Sequence, residues 1–153
     1  MAYYRPALKG DIELLHHAIR EQDRAEIWHS HGMTPKEGLE FSLDRAVEAH
    51  SIISNEEKVI GMFGVGEVTP NIGVPWLLAT DELPKVQREF LPESLKWVER
   101  VNDRYDLLFN YVYAENKTSI RWLKWLGFSF IRKIDDWGVH PAPFIEFARH
   151  KGT

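Results

Sequence analysis

The sequence predicts a single α/β domain built around a mixed β-sheet. The chain has 153 residues, which is a usual length for one domain, and no linker divides it. Apolar residues make up 44% of it and aromatic residues 12%, which is ample for a core. Local periodicity gives the order strand, two helices, three strands, helix, strand, helix, two strands. We therefore expect residues 1–153 to form one β-α-α-β-β-β-α-β-α-β-β domain.

The first half of the chain opens with a short strand and continues with helices. Residues 3–7 are extended in pattern, and Asp11 is placed to cap an amphipathic helix that runs to Ile19. Helical spacing continues from Ala25 to about His50, where Ala46 and Val47 belong to the same apolar face. Because Gly32 and Pro35 interrupt that stretch, we predict one broken helix or two short ones.

Strand patterns follow from His50 onward. Residues 51–53 and 59–65 flank a polar turn and predict an antiparallel hairpin. Residues 74–80 predict a third strand in sequence, with Pro75 at its start or edge because proline donates no ladder hydrogen bond.

The second half alternates between helices and strands. Residues 83–104 are amphipathic, and Pro92 is expected to start or restart that helix at Glu93. Residues 107–113 are strongly apolar, which is typical of a strand buried on both faces at the centre of a sheet.

The last helix has clear start and stop signals. Asn116 can cap its N-terminus, and Gly127 can adopt the left-handed conformation that ends it. Residues 128–131 and 144–147 then predict two strands, joined by a loop that contains Asp135 and Asp136.

Composition excludes several classes of partner and chemistry. The net charge of −4 and pI near 6.0 provide no positive field for nucleic acid or an anionic membrane. The absence of cysteine excludes disulfides, thiolate catalysis and thiolate metal sites. No stretch reaches transmembrane length, and the N-terminus lacks the apolar region of a signal peptide. We expect a cytoplasmic protein whose partners are small molecules or protein surfaces.

Common catalytic and metal-binding motifs are missing. His29 and His31 form a His-x-His pair, but this spacing points the two side chains to different sides of a helix. The glycines of 61–66 lie within a predicted strand at the wrong spacing for a nucleotide loop. We expect no metal site and no dinucleotide or Walker-type site.

The capped helix and its flanks resemble the GNAT acetyltransferase superfamily. The resemblance rests on the spacing of Asn116, Ser119, Ile120, Leu126, Gly127 and Phe128, on the opening Arg5-Pro6-Ala7 followed by a helix, and on the element order. It implies a GNAT fold and acetyl-CoA as the candidate cofactor. It also implies cofactor contacts from Leu78, Ala79, Thr80, Asn116 and Ser119.

The sequence departs from that superfamily at two places. Active members have spaced glycines between the strand that corresponds to residues 74–80 and the next helix, whereas residues 81–89 contain none. Leu123 occupies the helix position where many members have a proton-donating tyrosine, and leucine cannot donate a proton.

Four residues could still supply proton-transfer groups. Asp81, Glu82 or Glu67, each near a strand end, could serve as a base for an amine, and Tyr113 could donate a proton. The simpler interpretation is that the three carboxylates are solvated and that Tyr113 packs its ring.

A second resemblance covers roughly the C-terminal half. Residues 103–113, which continue into Asn116 and 120–124, resemble the small internal virion protein family of short-tailed bacteriophages, and 76–81 adds to the match. The resemblance implies a phage origin, a role in virion assembly, and phage or host proteins as partners in the host cytoplasm or the virion. Trp122 and Trp125 on the last helix offer an aromatic contact surface, with Trp125 expected to be the more exposed.

Two hypotheses remain at this point. The first is a catalytically degenerate GNAT-like phage protein that acts through protein contacts. The second is an active acetyl-CoA-dependent N-acetyltransferase that acts on a primary amine, with Asp81 or Glu67 as base and Tyr113 as donor.

Overall fold

A computed structural model describes residues 1–152, which form a seven-stranded sheet covered by five α-helices. The strands are β1 Tyr3–Pro6, β2 Ala46–Ile53, β3 Val59–Thr69, β4 Ile72–Ala79, β5 Leu107–Tyr113, β6 Ser129–Trp137 and β7 Ala142–His150. The helices are α1 Lys9–Leu15, α2 Glu21–His31, α3 Pro35–Arg45, α4 Leu83–Arg104 and α5 Lys117–Trp125. The predicted α/β class and element order are confirmed, with the second predicted helical region divided into α2 and α3.

The sheet has one parallel pair of neighbours at its centre. The strand order is β1-β2-β3-β4-β5-β7-β6, and every neighbouring pair except β4 and β5 is antiparallel. β4 and β5 pair only where Ile72 and Gly73 meet Leu107 and Leu108. Beyond that point no strand pairing joins them, so the sheet opens into a gap.

Two hydrophobic cores lie on opposite faces of the sheet. The larger core includes Val86, Phe90, Trp97 and Val101 of α4 and Trp122 of α5. The smaller core is built from α1, α2 and α3, which pack Ile12, Leu15, Ile27 and Leu39 against Met62 and Leu78 of the sheet. The gap between β4 and β5 therefore lies between two layers of helices.

Asp11 stabilises the first helix from inside it, not as its N-cap. Leu8 precedes α1, and the Asp11 carboxylate accepts a hydrogen bond from the Leu8 backbone N–H at 2.9 Å. The same carboxylate pairs with Arg5 of β1 and accepts the Ser51 hydroxyl of β2. The prediction that Asp11 is the N-cap was wrong, because Arg5, Leu8 and Ser51 bind its buried carboxylate within the first turn of α1.

The boundary between α3 and β2 falls earlier than predicted. Ala46 and Val47 have helical spacing, yet they lie in β2, because Ala46 pairs with Gly66 and an irregularity follows before Glu48 pairs with Val65. Sheet pairing thus overrides the local helical pattern.

Helix α4 continues through Pro92 instead of restarting after it. Leu83, Val86 and Phe90 before the proline, and Trp97 after it, are buried in the same core. Burial of one continuous apolar face outweighs the hydrogen bond that proline removes.

The last hairpin is longer than predicted. Asp135 and Asp136, expected in a loop, lie in β6, where both are exposed. β6 is an edge strand, and charged side chains on an edge discourage pairing with other chains. The glycine stop after α5 is confirmed, since Gly127 has φ +84.

Pro75 lies inside β4, opposite Val65 of β3, and not at its start. Its carbonyl oxygen accepts a hydrogen bond from the Asn110 side chain of β5 at 2.8 Å. Since the N and O of one strand residue point to the same side, the missing N–H of Pro75 faces the gap and not β3. The proline therefore costs the β3–β4 ladder nothing.

Replacement of Gly64 tests how closely β2 and β4 approach β3. A Cβ at this position would lie 2.5 Å from the Glu48 carbonyl oxygen and 2.9 Å from Trp76, so Gly64→Ala should lower the free energy of unfolding by about 2 kcal/mol or more. Gly66→Ala on the same strand is the matched control, because its nearest neighbour lies at 3.6 Å. Equal urea midpoints for the two variants would contradict this packing.

Candidate functional site

The gap between β4 and β5 contains a cavity of about 590 Å³. Both helical layers contribute to its wall, through residues such as Ile27 and Phe41 on one side and Trp97 and Leu123 on the other. In α/β proteins, openings where strands diverge are common ligand sites. This cavity is therefore the candidate functional site.

The start of α2 occupies one end of the gap and binds the edge of β4. The Arg20 backbone N–H donates to the Ala79 carbonyl at 2.9 Å, and Ile19 forms a β-bridge with Thr80. The Ala79 N–H donates to the Asp23 carboxylate at 3.0 Å. Both backbone groups of Ala79 are thus bound by the chain itself.

The same carboxylate also ties β4 to the start of α5. Asp23 accepts hydrogen bonds from Arg20 Nε at 2.8 Å and from Asn116 Nδ2 at 3.0 Å. Arg20 Nη2 in turn donates to the Ser119 hydroxyl at 3.0 Å. We call Arg20, Asp23, Asn116 and Ser119 the gap network.

Glu26 lies next to the gap network and lines the cavity. Its Oε1 accepts hydrogen bonds from the Tyr113 backbone N–H at 2.8 Å and from Asn116 Nδ2 at 3.3 Å. Glu26 is thereby held at the end of β5.

Burial dominates the electrostatics of these carboxyl groups. Burial, together with the charge of Asp23, raises the pKa of Glu26 to about 8. Burial also raises the pKa of Asp23, against the opposing effects of Arg20 and the hydrogen bonds from Ala79 and Asn116. Near neutral pH, Glu26 is therefore mainly protonated and can donate as well as accept a hydrogen bond.

The structure does not bring the three predicted catalytic residues together around one atom. Asp81 is exposed in the turn after β4. Glu67 lines the cavity at the end of β3, where it accepts the Tyr105 hydroxyl at 2.6 Å and lies 3.8 Å from Arg104. The Tyr113 ring packs against His29 and Phe144.

Three of the five predicted cofactor residues lie close together, where they bind other groups of this chain. Asn116 and Ser119 belong to the gap network, and Ala79 is bound to it. Leu78 packs into the smaller core, and the Thr80 N–H donates to the Ile60 carbonyl.

The turn before α4 does not fit the pyrophosphate of acetyl-CoA. The Glu82 N–H donates to the Thr80 hydroxyl, the Leu83 N–H to the Thr80 carbonyl, and the Lys85 N–H to the Glu82 carbonyl. Pro84 has no N–H. The helix N-terminus thus lacks the free donors that an anion site requires.

Leu123 of α5 lies in the cavity wall. Its apolar side chain packs against the larger core. It leaves the α5 side of the cavity without a hydroxyl at this position. Trp122 is buried and Trp125 is 49% exposed, as the sequence predicts.

Sequence reasoning missed Arg20, Asp23 and Glu26. The available signals were the i, i+3 spacing of Arg20 and Asp23 and the further i, i+3 step to Glu26. That pattern is common on solvated helices. Only the tertiary position of α2 buries these charges.

The histidine pair makes separate contacts. His29 Nδ1 lies 2.9 Å from the His140 carbonyl oxygen, and His31 Nδ1 lies 2.8 Å from the Ser30 hydroxyl. Within residues 1–152 no group of three or more histidine, cysteine, aspartate or glutamate side chains could hold a metal ion. No helix of the described chain is long and apolar enough to cross a membrane.

Loss of Arg20 should destabilise the fold through Asp23. Arg20→Met removes the guanidinium from a buried carboxylate and should lower the free energy of unfolding by about 3 kcal/mol. Arg121→Met on the exposed face of α5 is the matched control and should change it little. Chemical denaturation measures both, and a mild effect of Arg20→Met would contradict the network.

Glu26 should make stability depend on pH. The folded protein binds a proton here between about pH 4.5 and about pH 8 that the unfolded chain releases, so stability is highest below this window. Stability should fall as pH rises, by up to the order of 5 kcal/mol.

Glu26→Gln keeps an acceptor for Tyr113 and Asn116 but cannot ionise. Its thermal midpoint should exceed that of the wild type at alkaline pH and should vary less between acid and alkaline buffers. Parallel curves for the two proteins would show that Glu26 titrates normally.

The family comparison matches part of the chain to a phage family. Residues 63–134 match the family described as "Bacteriophage T7, probable scaffold protein Gp13". The match extends from β3 through the last helix into β6. A comparison with curated proteins finds no match.

Solved structures match the whole described fold. Ard1 from Thermoplasma volcanium superposes with a TM-score of 0.73 at 16% identity, covering 99% of each chain. A GCN5-related N-acetyltransferase from Kribbella flavida gives 0.71 at 16% identity, covering 97% of each. Spermidine N-acetyltransferase from Vibrio cholerae, solved with CoA and spermine, gives 0.67 at 12% identity, covering 98% of this chain and 95% of that one.

These identities establish the fold and no shared activity. The diverging β4 and β5 strands, the order of the elements and the superpositions agree. The chain has the GNAT acetyltransferase fold, and its residues 63–134 resemble a bacteriophage scaffold protein family.

Proposed function

We propose that this chain is a noncatalytic GNAT-fold protein of a bacteriophage that acts through protein contacts in virion assembly or infection. The observation that carries the proposal is the gap network. Asp23 and Arg20 take up both backbone groups of Ala79 and the Asn116 and Ser119 side chains, which the GNAT resemblance assigns to the cofactor.

The proposal follows from the cost of displacing these groups. A cofactor that paired with the Ala79 N–H would have to break its hydrogen bond to the buried Asp23 carboxylate, which would keep only its bonds to Arg20 and Asn116. The loss of one hydrogen bond to a charged group costs about 1.5–3 kcal/mol. The turn before α4 offers no free N–H cradle to compensate. Acetyl-CoA therefore gains little in this gap.

The phage part of the proposal rests on the match over residues 63–134 to a scaffold family. A scaffold works by contacts with other proteins, so phage or host proteins are the expected partners. The host cytoplasm and the virion are the expected locations.

Exposed aromatic side chains support a contact role. Trp28 of α2 and Trp125 of α5 are each 49% exposed. Trp28 stacks on His140 with ring centroids 4.2 Å apart, which orders both rings at the surface. Ordered aromatic groups contribute strongly to protein interfaces.

One observation favours the alternative, an acetyl-CoA-dependent N-acetyltransferase acting on a primary amine. Glu26 lines the cavity and has a pKa of about 8, which suits a general base. Tyr113 contributes only its backbone N–H to this carboxyl group. If no acyl-CoA binds beside Glu26, this carboxyl group has no thioester reaction to assist.

Complementation separates the two functions. A phage lacking this gene should regain plaque formation from a plasmid copy that carries Asp81→Asn, Glu67→Gln, Tyr113→Phe and Glu26→Gln together. These changes remove the candidate proton-transfer groups and largely keep the side-chain shapes. The quadruple variant should give plaques about as efficiently as the wild-type gene.

Surface variants provide the matched comparison. Trp28→Ser and Trp125→Ser lie on the exposed surface, so the variant proteins should fold normally while plaque formation drops about tenfold or more. Failure of the quadruple variant, with normal plaques from both tryptophan variants, would favour the enzyme and overturn the assembly role.

A further inference from the structure

We propose that the cavity between β4 and β5 binds an uncharged, largely apolar molecule that carries a hydrogen-bond-accepting oxygen such as a carbonyl. This ligand site is separate from the assembly role and needs no acetyl-CoA. The inference rests on the size, wall and polar groups of the cavity.

The volume and the wall suit a compact organic molecule. About 590 Å³ lies within the range of pockets that bind small ligands. Apolar side chains from both helical layers and the sheet form much of the wall, namely Ile27, Leu77, Val112, Trp122, Leu123 and Leu126. Protein interiors are normally close-packed, so a space of this size beside a core is a candidate for occupation.

Two tryptophans of the wall also have buried hydrogen-bond donors without protein acceptors. The indole nitrogens of Trp76 and Trp137 are buried, and neither has a hydrogen-bond partner in the described chain. Glu26 adds a carboxyl group that is mainly protonated near neutral pH. Buried donors lose free energy when unpaired, so an acceptor oxygen on the ligand would be stabilising.

Two charged side chains that line the cavity are held near its rim, where both are exposed. The Glu67 carboxylate accepts the Tyr105 hydroxyl, and the Arg45 guanidinium lies 4.1 Å from the centre of the Phe41 ring. Burial lowers the pKa of His31, which disfavours the charged form of this ring. A charged ligand inside the cavity would lose hydration without gaining a buried counter-ion from the lining residues, which favours an uncharged one.

One accessible part of the cavity lies between α3 and the end of β6. Phe41 and Ser42 of α3 and Trp137 of β6 line the cavity and keep part of their surface exposed. At the other end, the gap network ties Ala79 to Ser119. A ligand is expected to enter past Ser42.

The test uses the neutral naphthyl ketone Prodan, which combines an apolar body with a carbonyl oxygen and shifts its emission to the blue in apolar surroundings. Titration of the folded wild-type chain should give a saturable blue shift. Ser42→Trp should weaken binding about tenfold or more by filling the mouth. Ser129→Trp, on exposed β6 outside the cavity wall, is the matched control and should bind as the wild type does.

Circular dichroism checks that each variant is folded. If Ser42→Trp does not fold, Leu123→Trp takes its place. The anionic naphthalene dye ANS should bind the wild type about tenfold or more weakly than Prodan. No saturable Prodan shift, equal Prodan affinity in the Ser42 and Ser129 variants, or ANS binding as tight as Prodan would each overturn the proposal.

Discussion

The buried carboxylate of Asp23 sets the geometry of the gap at the centre of the sheet. It accepts hydrogen bonds from Arg20, from the Ala79 backbone and from Asn116, so one side chain joins α2, β4 and the start of α5. β4 and β5 pair only near their beginnings. With no ladder between the ends of these strands, the carboxylate supplies the connection that the sheet lacks there.

The fold of this chain and the polar groups in its gap have to be considered separately. The sheet order and the superpositions are those of GNAT acetyltransferases. Ala79, Asn116 and Ser119, which the GNAT resemblance assigns to the cofactor, nevertheless bind Arg20 and Asp23, and the N–H groups of the turn before α4 bind within that turn. A fold can be retained while its site chemistry changes, because fold stability depends on the core and site chemistry on a few polar groups.

Local signals were sufficient for much of the fold. The capped α5, the glycine stop at Gly127 and the apolar β5 each depend on neighbours in sequence, and each was predicted. The continuous α4 was missed because burial on both sides of Pro92 outweighs a local breaker.

The site was harder to predict than the fold. Asn116 and Ser119 were identified as site residues, but Asp23, their partner across the gap, lies far away in sequence. From the sequence alone, a carboxylate on a helix of mixed polarity is expected to be solvated. Asp23 is buried because the folded sheet and α5 surround it. The burial that raises the pKa of Glu26 is likewise a property of the assembled domain.

Calorimetric titration with acetyl-CoA tests the central claim most directly, because the claim is that the chain itself fills the cofactor position. The wild-type protein and Asn116→Ala, each verified as folded, would be titrated under the same conditions. The gap network predicts no saturable heat from either protein. Saturable binding to the wild type that is lost in Asn116→Ala would place acetyl-CoA in the gap and contradict the account.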